Sequence, residues 1–288
     1  MDVVTHAGRF IGSAEEPAGT AVALFGAPFD GTTSFVPGTR FGPHRIREVS
    51  DGIETYSPRL DRDLESISFY DWGDLELPYG NPVAALERIE DFAHSLFDAG
   101  RTPFMLGGEH LVTLPAVRAA RAAFPELVVV QFDAHADLRE DYMGEPDSHA
   151  TVMRRVVDLV GGDRLFQVGI RSGTREEFQY GRRHTNFFPG AFDMATMYRI
   201  AEAVAGRPVY ITVDIDVVDP AFAPGTGTPE AGGWTPNELF EAIYALAGID
   251  VIGCDIVEVC PPAEHGVITS LLAAKLVREM LLTFADGP

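Results

Sequence analysis

The stretch LVVVQFDAHAD, residues 127–137, decides the fold. Its first half is apolar at almost every position. A strand with one wet face alternates apolar and polar residues, so this pattern marks a strand buried on both faces, as in a parallel sheet covered by helices. The second half changes character at once, with Asp133, His135 and Asp137 at every second position. Side chains alternate across an extended chain, so these three are expected on one side, at the strand's carboxyl end. Open parallel sheets bind ligands at that edge.

Working outward, short β-branched runs alternate with amphipathic stretches. Strands are expected at 21–26, 67–72, 103–106, 127–132, 165–169, 209–214 and 251–259. Helices are expected at 82–98, 111–124, 150–160, 191–205, 236–247 and 267–284. The first of these helices has clear end signals. Asn81 can cap it, Pro82 suits its first position, and Gly100 follows its end. Strand–helix alternation along the chain predicts an α/β fold with a mainly parallel sheet. No repeat or biased linker divides it, so residues 1–288 are expected to form one domain. The glycine- and proline-rich segments 31–43 and 220–236 sit between predicted elements and read as functional loops.

Other strand ends repeat the pattern of the first. Asp214-Ile-Asp216 follows VYITV, and Glu109-His110 follows PFMLGG. The glycines at 107 and 108 permit a tight turn there. Four aspartates and two histidines therefore converge on one edge. Carboxylates so crowded repel one another unless cations neutralise them. Oxygen and imidazole donors without thiolate suit manganese, with zinc, iron or cobalt as alternatives. Six ligands, some able to bridge, fit two metals better than one, and paired metals can share and activate a water-derived nucleophile. A lone histidine is usually a packed or surface residue, and that bland reading is applied to His6, His44, His94 and His184. It does not cover three alternating ligand types followed by a second alternating pair.

A formal net charge of −21 disfavours nucleic acid and anionic membranes as partners and favours small cations. Cys254 and Cys260 lack paired spacing and are expected to be buried, reduced thiols in a cytoplasmic protein. The segment 1–11 has no basic region followed by an apolar stretch, so no signal peptide is expected. No apolar run is long enough to cross a bilayer.

These residues resemble the ureohydrolase family of arginases and agmatinases. The match runs through GAPFDGTTSFVPGTRFGP (26–43), GGEH (107–110), FDAHAD (132–137), SHA (148–150), VDIDVVDPAFAPGTGTPEAGG (213–233) and IVEVCPP (256–262). The resemblance implies a three-layer α/β sandwich around a sheet of about eight strands. It implies two Mn2+ per chain, one held by His110, Asp133, Asp137 and Asp214. The other is held by His135, Asp133, Asp214 and Asp216, with Asp133 and Asp214 bridging. It implies catalytic roles for His149 as proton shuttle, for Glu258 as the guanidinium-binding carboxylate, and for Asp137 as a hydrogen-bond acceptor from the attacking hydroxide. It also implies a homotrimer or homohexamer.

Within the family, the segments 28–43 and 137–155 are most similar to agmatinases. The reaction implied is hydrolysis of agmatine to putrescine and urea by a metal-bridging hydroxide, a step of polyamine biosynthesis. Glu140, Asp141, Glu145 and Asp147 could favour the cationic tail of such a substrate, although acids in a loop are commonly just solvated. Arg139 and Arg154 keep 4-guanidinobutyrate or a related acid as an alternative. A one-zinc amide hydrolase is disfavoured by the number of carboxylates. A noncatalytic protein on the same fold is disfavoured because all eight positions are intact.

Overall fold

A computed structural model describes residues 4, 5 and 8–285; His6 lies outside them. The strands are β1 (Val4–Thr5), β2 (Val22–Ala27), β3 (Tyr56–Ser57), β4 (Arg62–Asp63), β5 (Phe69–Leu75), β6 (Thr102–Gly107), β7 (Val128–Phe132), β8 (Leu165–Val168), β9 (Asn186–Phe188), β10 (Pro208–Asp214) and β11 (Asp250–Val257). The helices are α1 (Gly42–Ser50), α2 (Pro82–Asp98), α3 (Thr113–Ala123), α4 (Val152–Val160), α5 (Arg175–His184), α6 (Met194–Val204), α7 (Pro236–Ala245) and α8 (Ile268–Phe284). All seven expected strands and six expected helices form, with differences confined to their ends. Asn81 caps α2 as its sequence predicts, accepting a hydrogen bond from the Ala84 N–H at 3.1 Å.

Nine strands build the main sheet in the order β1-β5-β2-β6-β11-β10-β7-β8-β9. Eight run parallel and β1 is antiparallel to β5, which matches the expected sheet of about eight strands and adds one short edge strand. The chain leaves a gap between β6 and β7, and its last two strands, β10 and β11, fill it.

Both faces of the sheet are covered. On β7, Val128, Val130 and Phe132 join α1, α6, α7 and α8 in one core, whereas Val129 joins α2, α3 and α4 in the other. Alternation thus sends consecutive apolar residues into opposite cores, which is why the run has no polar position until Gln131. Among the described residues no helix is long and apolar enough to cross a membrane.

Two helices and several short strands lie outside the sequence expectations. Helix α1 follows a glycine- and proline-rich loop, and its buried Arg47 pairs with Asp71 and Asp74 instead of presenting an apolar stripe. Helix α5 is mostly charged, burying only Glu177 and Gly181, so its apolar period is weak. Its capping box, Thr174 with Glu177, was the available signal. The edge strand β9 and the β3–β4 hairpin are only two or three residues long.

Candidate active site

Four neighbouring strands, β6, β11, β10 and β7, bring their carboxyl ends to one cavity of about 310 Å³. After β6 the chain turns through Gly107 and Gly108. A Cβ at Gly108 would lie 1.9 Å from the Phe29 carbonyl oxygen. Glycine is needed there because two backbones meet, with the Glu109 N–H donating to Phe29 O at 2.8 Å. The next residue, His110, is fully buried. Gly108→Ala is expected to lower stability by about 1–3 kcal/mol, the usual range for overpacking. A thermal unfolding midpoint equal to wild type would contradict this account of the turn.

His110 is fixed from behind. Its Nε2 lies 3.0 Å from the Thr212 hydroxyl, which turns Nδ1 toward the cavity. There Nδ1 lies 3.0 Å from Asp133 Oδ2, 3.2 Å from Asp137 Oδ2 and 3.5 Å from Asp214 Oδ2. It is nevertheless a buried nitrogen without a properly directed hydrogen-bond partner. A second set forms beside it, with His135 Nδ1 2.8 Å from Asp216 Oδ2 and 3.7 Å from Asp133 Oδ1. Asp216 Oδ2 is likewise buried without a hydrogen-bond partner. His110, Asp133 and Asp137 could hold one ion, and Asp133, His135 and Asp216 a second. Asp133 belongs to both sets, turning one oxygen to each.

Local structure departs from simple alternation at two of these positions. Asp137 adopts φ 52°, a left-handed backbone uncommon for aspartate, which brings its carboxylate to the first set. Asp216 lies in a short 3-10 turn, Ile215–Val217, instead of an extended strand. Asp214 caps that turn, its Oδ1 accepting the Asp216 N–H at 2.9 Å. Its other oxygen, Oδ2, faces His110 Nδ1 at 3.5 Å.

The electrostatics fit bound cations. Against burial, which lowers it, Asp216 and Asp133 push the His135 imidazole up to about 12. Burial, then the charge of Asp133, pushes Asp137 up to about 7. Asp214 is raised by burial, then by Asp216 and Asp133. Without metal, the cluster can persist only by retaining protons on imidazoles and carboxyls. Divalent cations replace those protons.

Glu258 lies just past β11, not within it as the expected strand 251–259 had it. It too has a left-handed backbone, φ 63°. Its Oε1 accepts the His110 N–H at 2.8 Å, and it lines the same cavity. Burial, then the charge of Glu109, pushes its carboxyl up to about 8. A bound cation beside it would offset that cost.

His149 also lines the cavity, in a turn before α4. Its Nε2 is 3.0 Å from Ser34 Oγ and its Nδ1 3.4 Å from Thr32 Oγ1. Burial lowers the imidazole to about 4, so it is neutral at neutral pH. Glu109 does not join the donor sets; it turns away to accept hydrogen bonds from Thr32 and Thr33.

All eight singled-out residues, His110, Asp133, His135, Asp137, His149, Asp214, Asp216 and Glu258, therefore meet at one cavity edge. His44 and His184 are exposed and His94 is half-buried on α2, none of them at the site. Cys254 and Cys260 are free and buried, as expected. The loop acids Glu140, Asp141 and Glu145 are exposed, and no acid of the 140–147 segment lines the cavity. Any pull they exert on a cationic tail would therefore act through space and not by contact. Its walls include Arg139, Tyr142, Thr174, Glu177 and Thr228. Glu177 shapes this wall, accepting the Leu138 N–H at 3.1 Å and the Thr174 N–H at 2.7 Å. Thr32 and Ser34 carried no signal in the sequence, because a hydroxyl in a loop has no distinguishing period.

A parallel α/β sheet with two carboxylate–imidazole sets at its carboxyl edge defines a class of metal-dependent hydrolases. The model of the arginase family matches residues 20–283. An agmatinase of Bacillus anthracis is 49% identical over 265 residues, covering 91% of each chain. A guanidinobutyrase of Pseudomonas aeruginosa is 39% identical, covering 90% of this chain and 85% of its own. The crystal structure of agmatine ureohydrolase of Thermoplasma volcanium superposes with a TM-score of 0.86 at 34% identity, over 96% of this chain and 93% of that one. The chain belongs to the arginase family and is a metal-dependent amidinohydrolase.

Proposed function

We propose that this protein is a manganese-dependent agmatinase, hydrolysing agmatine to putrescine and urea. The observation that carries the reading is one cavity whose floor holds two donor sets sharing Asp133 and whose wall presents Glu258. The agmatinase relatives support the choice of substrate. The donors are carboxylates and imidazoles with no thiolate, which suits manganese.

His110, Asp133, Asp137 and Asp214 would hold one ion, and His135, Asp133, Asp214 and Asp216 the other. When bound, such ions supply Lewis acidity and bring the pKa of bound water toward neutrality. The chain's own residues do the rest. Glu258 pairs with the planar guanidinium and holds its carbon over the floor. Asp137 accepts a hydrogen bond from the attacking water and aligns it. The water oxygen bonds to the guanidino carbon and becomes the urea oxygen, and the bond from that carbon to the alkylamine nitrogen breaks. His149 takes up a proton released by the attacking water and passes it to the departing nitrogen, which leaves as an amine. The same reading takes the chain as one unit acting in the cytoplasm as a homotrimer or homohexamer, which rests on the family resemblance.

A second reading, a carboxylate-tailed substrate such as 4-guanidinobutyrate, is favoured by Arg139 in the wall. That guanidinium is already engaged, 3.5 Å from Glu177 Oε2 and 4.8 Å from the Tyr142 ring centre. An incoming carboxylate would have to compete with both. Urea release from agmatine, arginine and 4-guanidinobutyrate by the manganese-loaded protein tests the choice. Agmatine is expected to lead by roughly 10–100-fold in kcat/KM. Preference for 4-guanidinobutyrate would move the assignment to a guanidino-acid hydrolase, and silence toward all three with metal bound would remove agmatinase activity.

A further inference from the structure

We infer that Thr32 is a positioning residue that sets the tautomer of His149, leaving Nε2 as the ring nitrogen that exchanges protons at the cavity. The inference rests on the proton-transfer role proposed for His149.

A threonine hydroxyl has one proton to give and two lone pairs to accept with. Thr32 Oγ1 lies 2.6 Å from Glu109 Oε1. Glu109 is surrounded by other donors as well. The Thr32 N–H reaches both its oxygens, at 3.0 and 3.1 Å, and the Thr33 hydroxyl reaches Oε2 at 3.0 Å. Burial pushes the Glu109 carboxyl up to about 7 while these surrounding donors hold it down; with Glu109 ionised it only accepts, and the Thr32 proton points to it. The Thr32 oxygen can then only accept. It takes the His149 backbone N–H at 3.0 Å. Its remaining lone pair faces His149 Nδ1 at 3.4 Å. Two lone pairs would repel there, so Nδ1 carries the hydrogen and the neutral ring keeps its free pair on Nε2.

Nε2 is the nitrogen beside Ser34 Oγ, at 3.0 Å, and both residues line the cavity. Three segments far apart in sequence thus act as one unit. Glu109 holds Thr32, Thr32 holds both the backbone and the ring of His149, and the ring presents an acceptor to the substrate side. The Tyr142 ring stands roughly perpendicular to the imidazole, 5.7 Å between centres.

Four enzymes test this with manganese bound: Thr32→Val, Thr32→Ser, His149→Ala and the double variant Thr32→Val with His149→Ala. Thr32→Val keeps the shape and removes the hydroxyl. It is expected to lower kcat about 10–100-fold, the usual cost of losing a group that orients a functional histidine. KM for agmatine and the metal content should stay near wild type. The loss should grow as the leaving amine becomes more basic, because such amines depend most on proton delivery. Thr32→Ser should restore most of kcat. In the His149→Ala background, Thr32→Val should cost nothing further, since the two act through one group.

Wild-type kcat in Thr32→Val alongside an impaired His149→Ala would overturn the inference while leaving the role of His149 standing. Multiplying losses in the double variant would also overturn it. Full kcat in His149→Ala would remove the proton-transfer role and the inference with it. A readout independent of any variant's folding is the nitrogen-15 spectrum of wild-type enzyme loaded with diamagnetic zinc, with the His149 signals assigned by their loss in His149→Ala. Hydrogen on Nδ1 supports the inference, and hydrogen mainly on Nε2 overturns it.

Discussion

Asp133→Asn is expected to lose both metal ions and to drop urea release by about 10³-fold or more, because the Lewis acidity it forfeits is worth several kcal/mol. The reason lies in what both oxygens of Asp133 already do. Oδ1 accepts the His135 N–H, and Oδ2 accepts from Gln131 Nε2, each at 2.6 Å. The same two oxygens face His135 Nδ1 and His110 Nδ1 respectively. Asparagine removes the charge shared by the two donor sets. It must also turn its NH2 group toward one of those two N–H donors, a contact of donor against donor. No rotamer satisfies both. Metal-to-protein ratios by elemental mass spectrometry, beside urea assays, check the result. An asparagine variant that keeps two metals and wild-type turnover would show that Asp133 is not shared between them.

Glu258→Gln is expected to act differently, cutting kcat/KM for agmatine while leaving metal content unchanged. Glutamine retains the size of Glu258 and an oxygen for the His110 N–H, which Oε1 accepts at 2.8 Å. It loses the negative charge that would meet the guanidinium. Removing one partner of a buried, hydrogen-bonded charge pair costs about 2–5 kcal/mol, or about 30- to 5000-fold. The left-handed backbone at Glu258, φ 63°, is strain the fold tolerates to aim this side chain into the cavity. Steady-state kinetics with metal analysis separate this variant from Asp133→Asn. Unchanged kcat/KM would take the guanidinium away from Glu258.

Much of this site was legible in advance because ligand residues cluster where buried strands end. An apolar run such as VVVQF has one physical reading, and acids directly after it must sit at the sheet's edge. A helix with clear end signals and an apolar stripe, such as α2, was equally plain. Helix α5 was not, because its partners are capping hydrogen bonds instead of core contacts. The loop acids were open between two readings, because charge density in the sequence does not say which way a loop faces; Glu140, Asp141 and Glu145 face solvent.

The sequence by itself determined the sheet class and the clustering of six donors at strand ends, since these follow from residue type and local spacing; His149 and Glu258 were singled out only through the family resemblance. Only the tertiary structure decided how they meet. The strand order puts β10 and β11 between β6 and β7, so residues as far apart as His110, Asp133, Asp214 and Glu258 become neighbours. Backbone conformation decided the aim of Asp137 and Glu258, whose left-handed angles no pattern of alternation contains. The hold of Glu109 and Thr32 on His149 also belongs to the fold alone. A hydrogen bond across more than seventy residues leaves no period in the chain, because it depends on where loops close and not on how neighbours repeat.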